Sequence, residues 1–179
     1  MASKKIGKQT FALCNPPSIA GHANVVGPKE GDGPLGTCFD RVELDPMLGK
    51  KSWEEAESEL QSRTAGLVIE KSGLSKEEIR YSFAGDLLAQ LIATSFGNIN
   101  LEIPMFGLYG ACSTMGEGLG LGAMCVEGGF ADHVLVGASR DGLYRQQNDA
   151  AHVGVLHEAR HGAHDHLAVG LGAAGFGRD

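Results

Sequence analysis

The chain has 179 residues, 42% of them hydrophobic, which is about one packed domain and excludes a wholly disordered chain. Its 22 acidic and 15 basic residues give a formal net charge of -7, which argues against nonspecific attraction to nucleic acid or to an anionic membrane surface. No stretch of about 18 uninterrupted apolar residues occurs, so no membrane span is expected, and the apolar run after the basic start MASKKIGKQT is too short for a secretory signal.

Residues 1 to 50 carry Gly and Pro every few positions, most densely from Gly27 to Gly36, and read as an ordered arm or loop. Ser52 followed three residues later by Glu55 is a capping-box signature. With Trp53, Ala56, Leu60, Leu67 and Val68 near helical spacing, it predicts a helix over 53–71 closed by Gly73. Ser75-Lys76-Glu77-Glu78 repeats the signature for one short turn, and Tyr81-Ser82-Phe83-Ala84 has the aromatic content of a strand ended by Gly85-Asp86. The apolar residues from Leu87 to Phe96 support a helix stopped by Gly97-Asn98, and residues 103–109 a second buried strand with Pro104 near its start. The turn Gly110-Ala111-Cys112 follows. Thr114 with Glu117 is a third capping-box pattern, opening a helix that ends at Gly128-Gly129, and residues 133–138 form a third strand. Strand, helix, strand, helix, strand calls for parallel crossovers and the α/β class.

After Ser139 the composition changes. Five of the seven histidines fall between His152 and His166, the apolar pattern weakens, and the end is Gly-rich. Residues 139–179 therefore read as a poorly ordered tail without a strand signal, and the abrupt change as a truncation with an altered reading frame.

Four cysteines without a CxxC pair fit a reducing compartment. Cys112, between a predicted strand and a predicted helix, occupies the position of a nucleophile elbow. There helix N-terminal amides would favour the thiolate or hold a carboxylate, and Gly110 would permit the turn. The alternative is a cysteine that simply packs, which is also the reading for Cys14, Cys38 and Cys125. Asp86 also follows a strand and precedes a helix, so it belongs either to the same carboxyl-edge crevice or to a helix cap. His157-Glu158-Ala159-Arg160-His161 matches HExxH, the pattern in which two histidines on one helical face hold zinc and the glutamate polarises water. No third histidine follows at the extended spacing, and in so histidine-rich a segment the match arises easily by chance.

The combination of Gly7-Lys8-Gln9-Thr10, Gly27-Pro28-Lys29-Glu30, Asp32 to Gly36, Ala84-Gly85-Asp86-Leu87-Leu88, Leu108 to Thr114 and Gly128 to Asp132 resembles the stage V sporulation protein AD family over about residues 5 to 139. The resemblance implies a thiolase-like α/β fold, with residues 1–138 as the amino-terminal half of an αβαβα layered sandwich. It implies a noncatalytic dipicolinic acid-binding protein of the assembly that loads calcium dipicolinate into the developing spore. Such a protein is peripheral, on the cytoplasmic side of the spore or forespore inner membrane, beside the other stage V A proteins. No cofactor is implied beyond calcium as the counter-ion of the ligand. Asp86 and Cys112 match residues of the family's dipicolinate pocket, with Ser113 beside them.

A flat dicarboxylate suits the amides around Cys112 and Ser113, whereas Asp86 would repel it unless calcium bridges the two or a carboxylate is protonated. The competing activity is thiolase-like acyl transfer through Cys112, which lacks the partners that such enzymes keep in their second half. Zinc hydrolysis through His157, Glu158 and His161 comes third. A half sandwich would expose the apolar sheet face that normally packs against the second half, so aggregation or a homo-oligomer is expected.

Overall fold

The computed structural model describes residues 5–87, 91–140 and 150–157. In chain order its elements are β1 (Lys5–Ile6), β2 (Thr10–Phe11), β3 (Ser18–Val26), α1 (Pro28–Gly31), β4 (Arg41–Val42), α2 (Trp53–Ser72), β5 (Tyr81–Asp86), α3 (Ile92–Asn98), β6 (Met105–Gly107), α4 (Thr114–Glu127), β7 (His133–Arg140) and β8 (Ala150–His157). The class is α/β. β1 and β2 form a separate antiparallel pair, and the other six strands form one sheet in the order β4-β3-β8-β7-β5-β6. β5 is parallel to both β6 and β7, β3 is parallel to β4, and β8 runs antiparallel to its neighbours β3 and β7.

The predicted long helix is present with both ends explained. Ser52 accepts the Glu55 amide through its side chain, and Gly73 closes the helix in the left-handed conformation, at φ 71°. The short turn at Lys76–Glu78 has its capping box, with the Ser75 amide donating to Glu78 at 2.8 Å. At α4 the expectation differs. Ser113, not Thr114, is the N-cap, and no side chain caps that helix. The Thr114 and Glu117 pair is not a capping box, and Glu117 is released for a different position.

Two long strands were not anticipated, nor were the two-residue strands β1, β2 and β4. β3 lies inside the segment read as an arm, where Gly21, His22 and Asn24 interrupt the apolar alternation. At Gly21 the backbone approaches α2 closely, since a Cβ there would stand 3.0 Å from Ser72 Cβ at the end of that helix. β8 lies inside the segment read as a poorly ordered tail, and it pairs along its length with β3 and β7 in the middle of the sheet. β7 itself continues through Ser139 and Arg140. β7 thus crosses residue 139 and β8 joins the same sheet, while 141–149 and 158–179 lie outside the described residues.

The sheet is covered on both faces. α4 packs on Phe83, Val134 and Val136 through Met115, Leu119, Ala123 and Val126. α2 packs on Leu135 and Ala23 through Ala65 and Val68. Val134, Leu135 and Val136 are all buried, alternating between the two layers as strand geometry requires. Each contributes about 1.5–3 kcal/mol by burial.

Candidate functional site

β6 ends at Gly107, and the chain turns into α4 through a single 3₁₀ turn, Ala111–Ser113, which carries Cys112 at its centre. The Cys112 side chain is exposed. The expected elbow is there, but its strain sits on a different residue. Gly110 has ordinary right-handed angles, φ -78° and ψ 0°, whereas Ala111 takes φ 47°. A left-handed non-glycine residue costs about 1–2 kcal/mol. Right-handed Gly110 followed by left-handed Ala111 turns successive amides toward one point, the arrangement known as an anion nest. The amides of Ser113 and Thr114 are committed to the Gly110 and Ala111 carbonyls, and the Ser113 hydroxyl also donates to the Gly110 carbonyl at 2.7 Å. Among the described residues no backbone carbonyl accepts the amides of Ala111 or Cys112.

Glycine at 110 is needed for space rather than for dihedral freedom. A Cβ there would lie 2.6 Å from Glu117 Oε2, 2.9 Å from Ser113 Oγ and 2.9 Å from Thr114 N. Glu117, not recognised in the sequence as a site residue, thus reaches back over the turn. Its position three residues after Thr114 was the available signal, and it was read as a cap. β6 is an exposed edge strand rather than the buried one expected, with Phe106 half exposed, and Tyr109, directly before the nest, is 69% exposed.

Asp86 ends β5 and is buried. Its Oδ2 accepts the Thr94 amide at 3.0 Å and the Thr94 hydroxyl at 2.5 Å, so the carboxylate caps the first turn of α3 from outside that helix. The bonds continue inward. Gln61 Nε2 donates to Thr94 Oγ1 at 3.0 Å and to Ser139 Oγ at 2.5 Å, and the Ser139 hydroxyl donates to Glu57 Oε1 at 2.5 Å. Asn98 donates to Gln61 Oε1 at 3.4 Å and to the Thr94 carbonyl at 2.9 Å, and accepts the Ser82 hydroxyl at 3.2 Å. All seven side chains are buried, and these hydrogen bonds between side chains run toward one of the two carboxylates, Glu57 or Asp86.

Strand alternation sets Asp86 and the elbow on opposite sides. Gly85, whose neighbours are the Leu108 carbonyl and the Thr114 methyl group, faces the α4 layer, so Asp86 faces α2 and α3. The structure brings Ser113 and Glu117 together at Gly110, in the turn that carries exposed Cys112, and directs the Asp86 carboxylate into the other layer. The two regions connect through the backbone: Leu91, at the start of α3, packs against Gly107, three residues before Gly110.

Among the described residues no three His, Cys, Asp or Glu side chains are grouped to hold a metal ion. His157 closes the extended strand β8 rather than opening a helix, so its backbone is not the one that sets HExxH histidines on a common face. Glu158 and His161 lie outside the described residues. Of the other cysteines, Cys14 and Cys38 are exposed, and burial pushes the Cys125 thiol above its ordinary pKa.

Comparison with known proteins was decisive for the family. The family described as Stage V sporulation protein AD (SpoVAD) matches residues 7–146. The chain belongs to the stage V sporulation protein AD family. A curated member from Bacillus subtilis (strain 168), stage V sporulation protein AD, is 37% identical over 136 residues, which are 76% of this chain and 40% of that protein. The chain thus spans less than half the length of that relative. Among solved structures, 3-oxoacyl-(acyl carrier protein) synthase III from Xanthomonas oryzae pv. oryzae superposes with a TM-score of 0.58 at 18% identity, covering 82% of this chain and 57% of that one. The priming β-ketosynthase of the R1128 polyketide biosynthetic pathway gives a TM-score of 0.55 at 15% identity, covering 85% and 53%. At such identities the likeness is of fold, and the fold is thiolase-like. The family match also runs past residue 139, where the sequence reading placed its end, as the continuous sheet does.

Proposed function

We propose that this member of the stage V sporulation protein AD family binds dipicolinic acid at the Gly110 to Ser113 elbow and acts without catalysis in loading calcium dipicolinate into the developing spore. The observation that carries the reading is the nest formed by right-handed Gly110 and left-handed Ala111, with the amides of Ala111 and Cys112 donating to no backbone carbonyl among the described residues. Such a concavity suits a ligand carboxylate, and exposed Tyr109 beside it offers an aromatic face to a flat ring. Cys112 and Ser113 line the mouth. Asp86 acts one step away: it caps α3, whose start supports β6 just before the elbow, rather than touching the ligand. Calcium enters as part of the cargo. No helix among the described residues is long and apolar enough to cross a membrane. Work at the inner membrane of the forespore or spore would therefore rest on contacts with other stage V A proteins.

The test is calorimetric titration of dipicolinate into metal-stripped protein, with and without calcium, against Cys112→Ala and Ala111→Pro. Proline cannot adopt positive φ and lacks the N–H, so it removes the nest. Saturable binding that is lost in Ala111→Pro, with circular dichroism unchanged, supports the reading. Absence of binding by folded wild-type protein refutes it.

A second reading is favoured by one observation, the exposure of Cys112 beside a nest that would equally serve as an oxyanion hole. Thiolase-like acyl transfer requires Cys112 to be alkylated by iodoacetamide at neutral pH much faster than Cys14 or Cys38. Equal slow labelling removes it.

A further inference from the structure

Glu117 stands where a carboxylate is least expected, beside the amides offered to the carboxylate of a ligand. Its Oε2 approaches Gly110 so closely that a Cβ at that residue would be only 2.6 Å away. No capping bond holds it there, because α4 takes its N-cap from Ser113 without any side-chain cap. A bare dianion entering the nest would meet this like charge at close range. A cation resolves the conflict, and among the described residues no three His, Cys, Asp or Glu side chains are grouped to hold one without the ligand. Most of the oxygens must therefore arrive with the ligand. A calcium ion takes about 6–8 oxygen ligands, which a chelating dicarboxylate, one carboxylate of the protein and water together supply.

We propose that Glu117 is the charge filter of the elbow: it rejects a bare carboxylate and admits the same ligand when a divalent cation accompanies it. This rests on the elbow as the binding site, and it makes Glu117, not Asp86, the side chain that faces the cation. Thr114, one helical turn before Glu117, adds a buried hydroxyl oxygen that finds no hydrogen-bond partner among the described residues. Polar capacity at the start of α4 is thus not exhausted by the fold.

The experiment uses the full chain and Glu117→Gln, with two probes. The first is pyridine-2,6-dicarboxylate titrated in the presence of a strong chelator or of saturating calcium. Wild type should prefer the calcium form, and Glu117→Gln should tighten binding of the bare dianion and weaken binding of the chelate, changing the preference by about tenfold. The second probe does not depend on that ligand. Cys112 is alkylated with iodoacetate, itself a bare carboxylate, and with neutral iodoacetamide, and its peptide is followed by mass spectrometry. Wild type should disfavour iodoacetate relative to iodoacetamide, and Glu117→Gln should raise that rate ratio severalfold. An unchanged calcium preference together with an unchanged alkylation ratio overturns the proposal. If the dicarboxylate binds neither protein, the reading of the site as a dipicolinate site falls and the alkylation ratio alone decides the charge filter: a raised ratio upholds it, an unchanged one ends it.

Discussion

Replacing Asp86 by alanine separates a structural carboxylate from a ligand-binding one. The substitution strands two donors of Thr94, an amide and a hydroxyl, which now meet Asp86 Oδ2 at 3.0 and 2.5 Å inside the α2/α3 layer. Leaving a buried donor unsatisfied costs about 1–3 kcal/mol, and loss of a helix cap about 1 kcal/mol, part of it the same amide. Asp86→Ala should therefore destabilise the fold by about 3–5 kcal/mol, a large share of the roughly 5–15 kcal/mol typical of a domain. Asp86→Asn keeps an oxygen acceptor and loses only the charge-assisted part, about 1–2 kcal/mol. Urea unfolding followed by the single tryptophan, Trp53, at the start of α2, measures both. Dipicolinate affinity of the folded Asp86→Asn protein should equal that of wild type. If Asp86→Ala unfolds within about 1 kcal/mol of wild type, or if Asp86→Asn folds normally and loses binding, the capping argument is wrong and Asp86 contacts the ligand.

Ala111→Gly should stabilise the chain by about 1 kcal/mol in the same unfolding assay, because glycine takes φ 47° without the steric cost that alanine bears. Gly85→Ala should destabilise it by about 1–3 kcal/mol, since the new Cβ would press on the Leu108 carbonyl and stand 2.8 Å from Thr114 Cγ2. The Arg63 hydrogen bond, opposed by burial and helped by Lys50, holds the Glu59 carboxyl below its ordinary pKa. A carboxyl depressed in the folded state stabilises above its unfolded pKa and loses that contribution as pH falls through the folded value. The stability difference between wild type and Glu59→Gln, about 0.3–1 kcal/mol at pH 7, should therefore shrink as the pH of the unfolding assay is lowered below the ordinary glutamate range. Among the cysteines, Cys125 should react last with iodoacetamide, because burial both raises its pKa and shields it, while Cys14, Cys38 and Cys112 are exposed.

What could be read in the sequence was local. The 20-residue α2 announces itself because Ser52, Glu55 and Gly73 are adjacent in the chain to the groups they satisfy. The elbow is legible for the same reason, as a turn between one strand and the next helix. β3 and β8 escaped because Gly21, His22 and Asn24 in one, and the histidines of the other, break the apolar alternation that marks a strand. They pair with each other across more than 100 positions, as Val25 does with Ala151, a contact no local pattern announces. The role of Asp86 was hidden likewise. Thr94 is 8 residues on, but Gln61, Ser139 and Glu57 join the same network from two other elements. Glu117 was misassigned because Thr114 to Glu117 satisfies a capping pattern that the turn at Ser113 had already pre-empted.

The central placement of β8 bears on how the chain is made. Before residues 150–157 leave the ribosome, β3 with β4 and β7 with β5 and β6 are two separate ribbons, each with an unpaired inner edge. Every hydrogen bond joining them passes through a strand synthesised after both, so the sheet has no native-like intermediate that is both complete at the centre and short of residue 157. Topology of this kind delays completion of the sheet until residue 157 has been made and leaves strand edges exposed until then, the period in which a holdase or a slow codon tract would have most to protect.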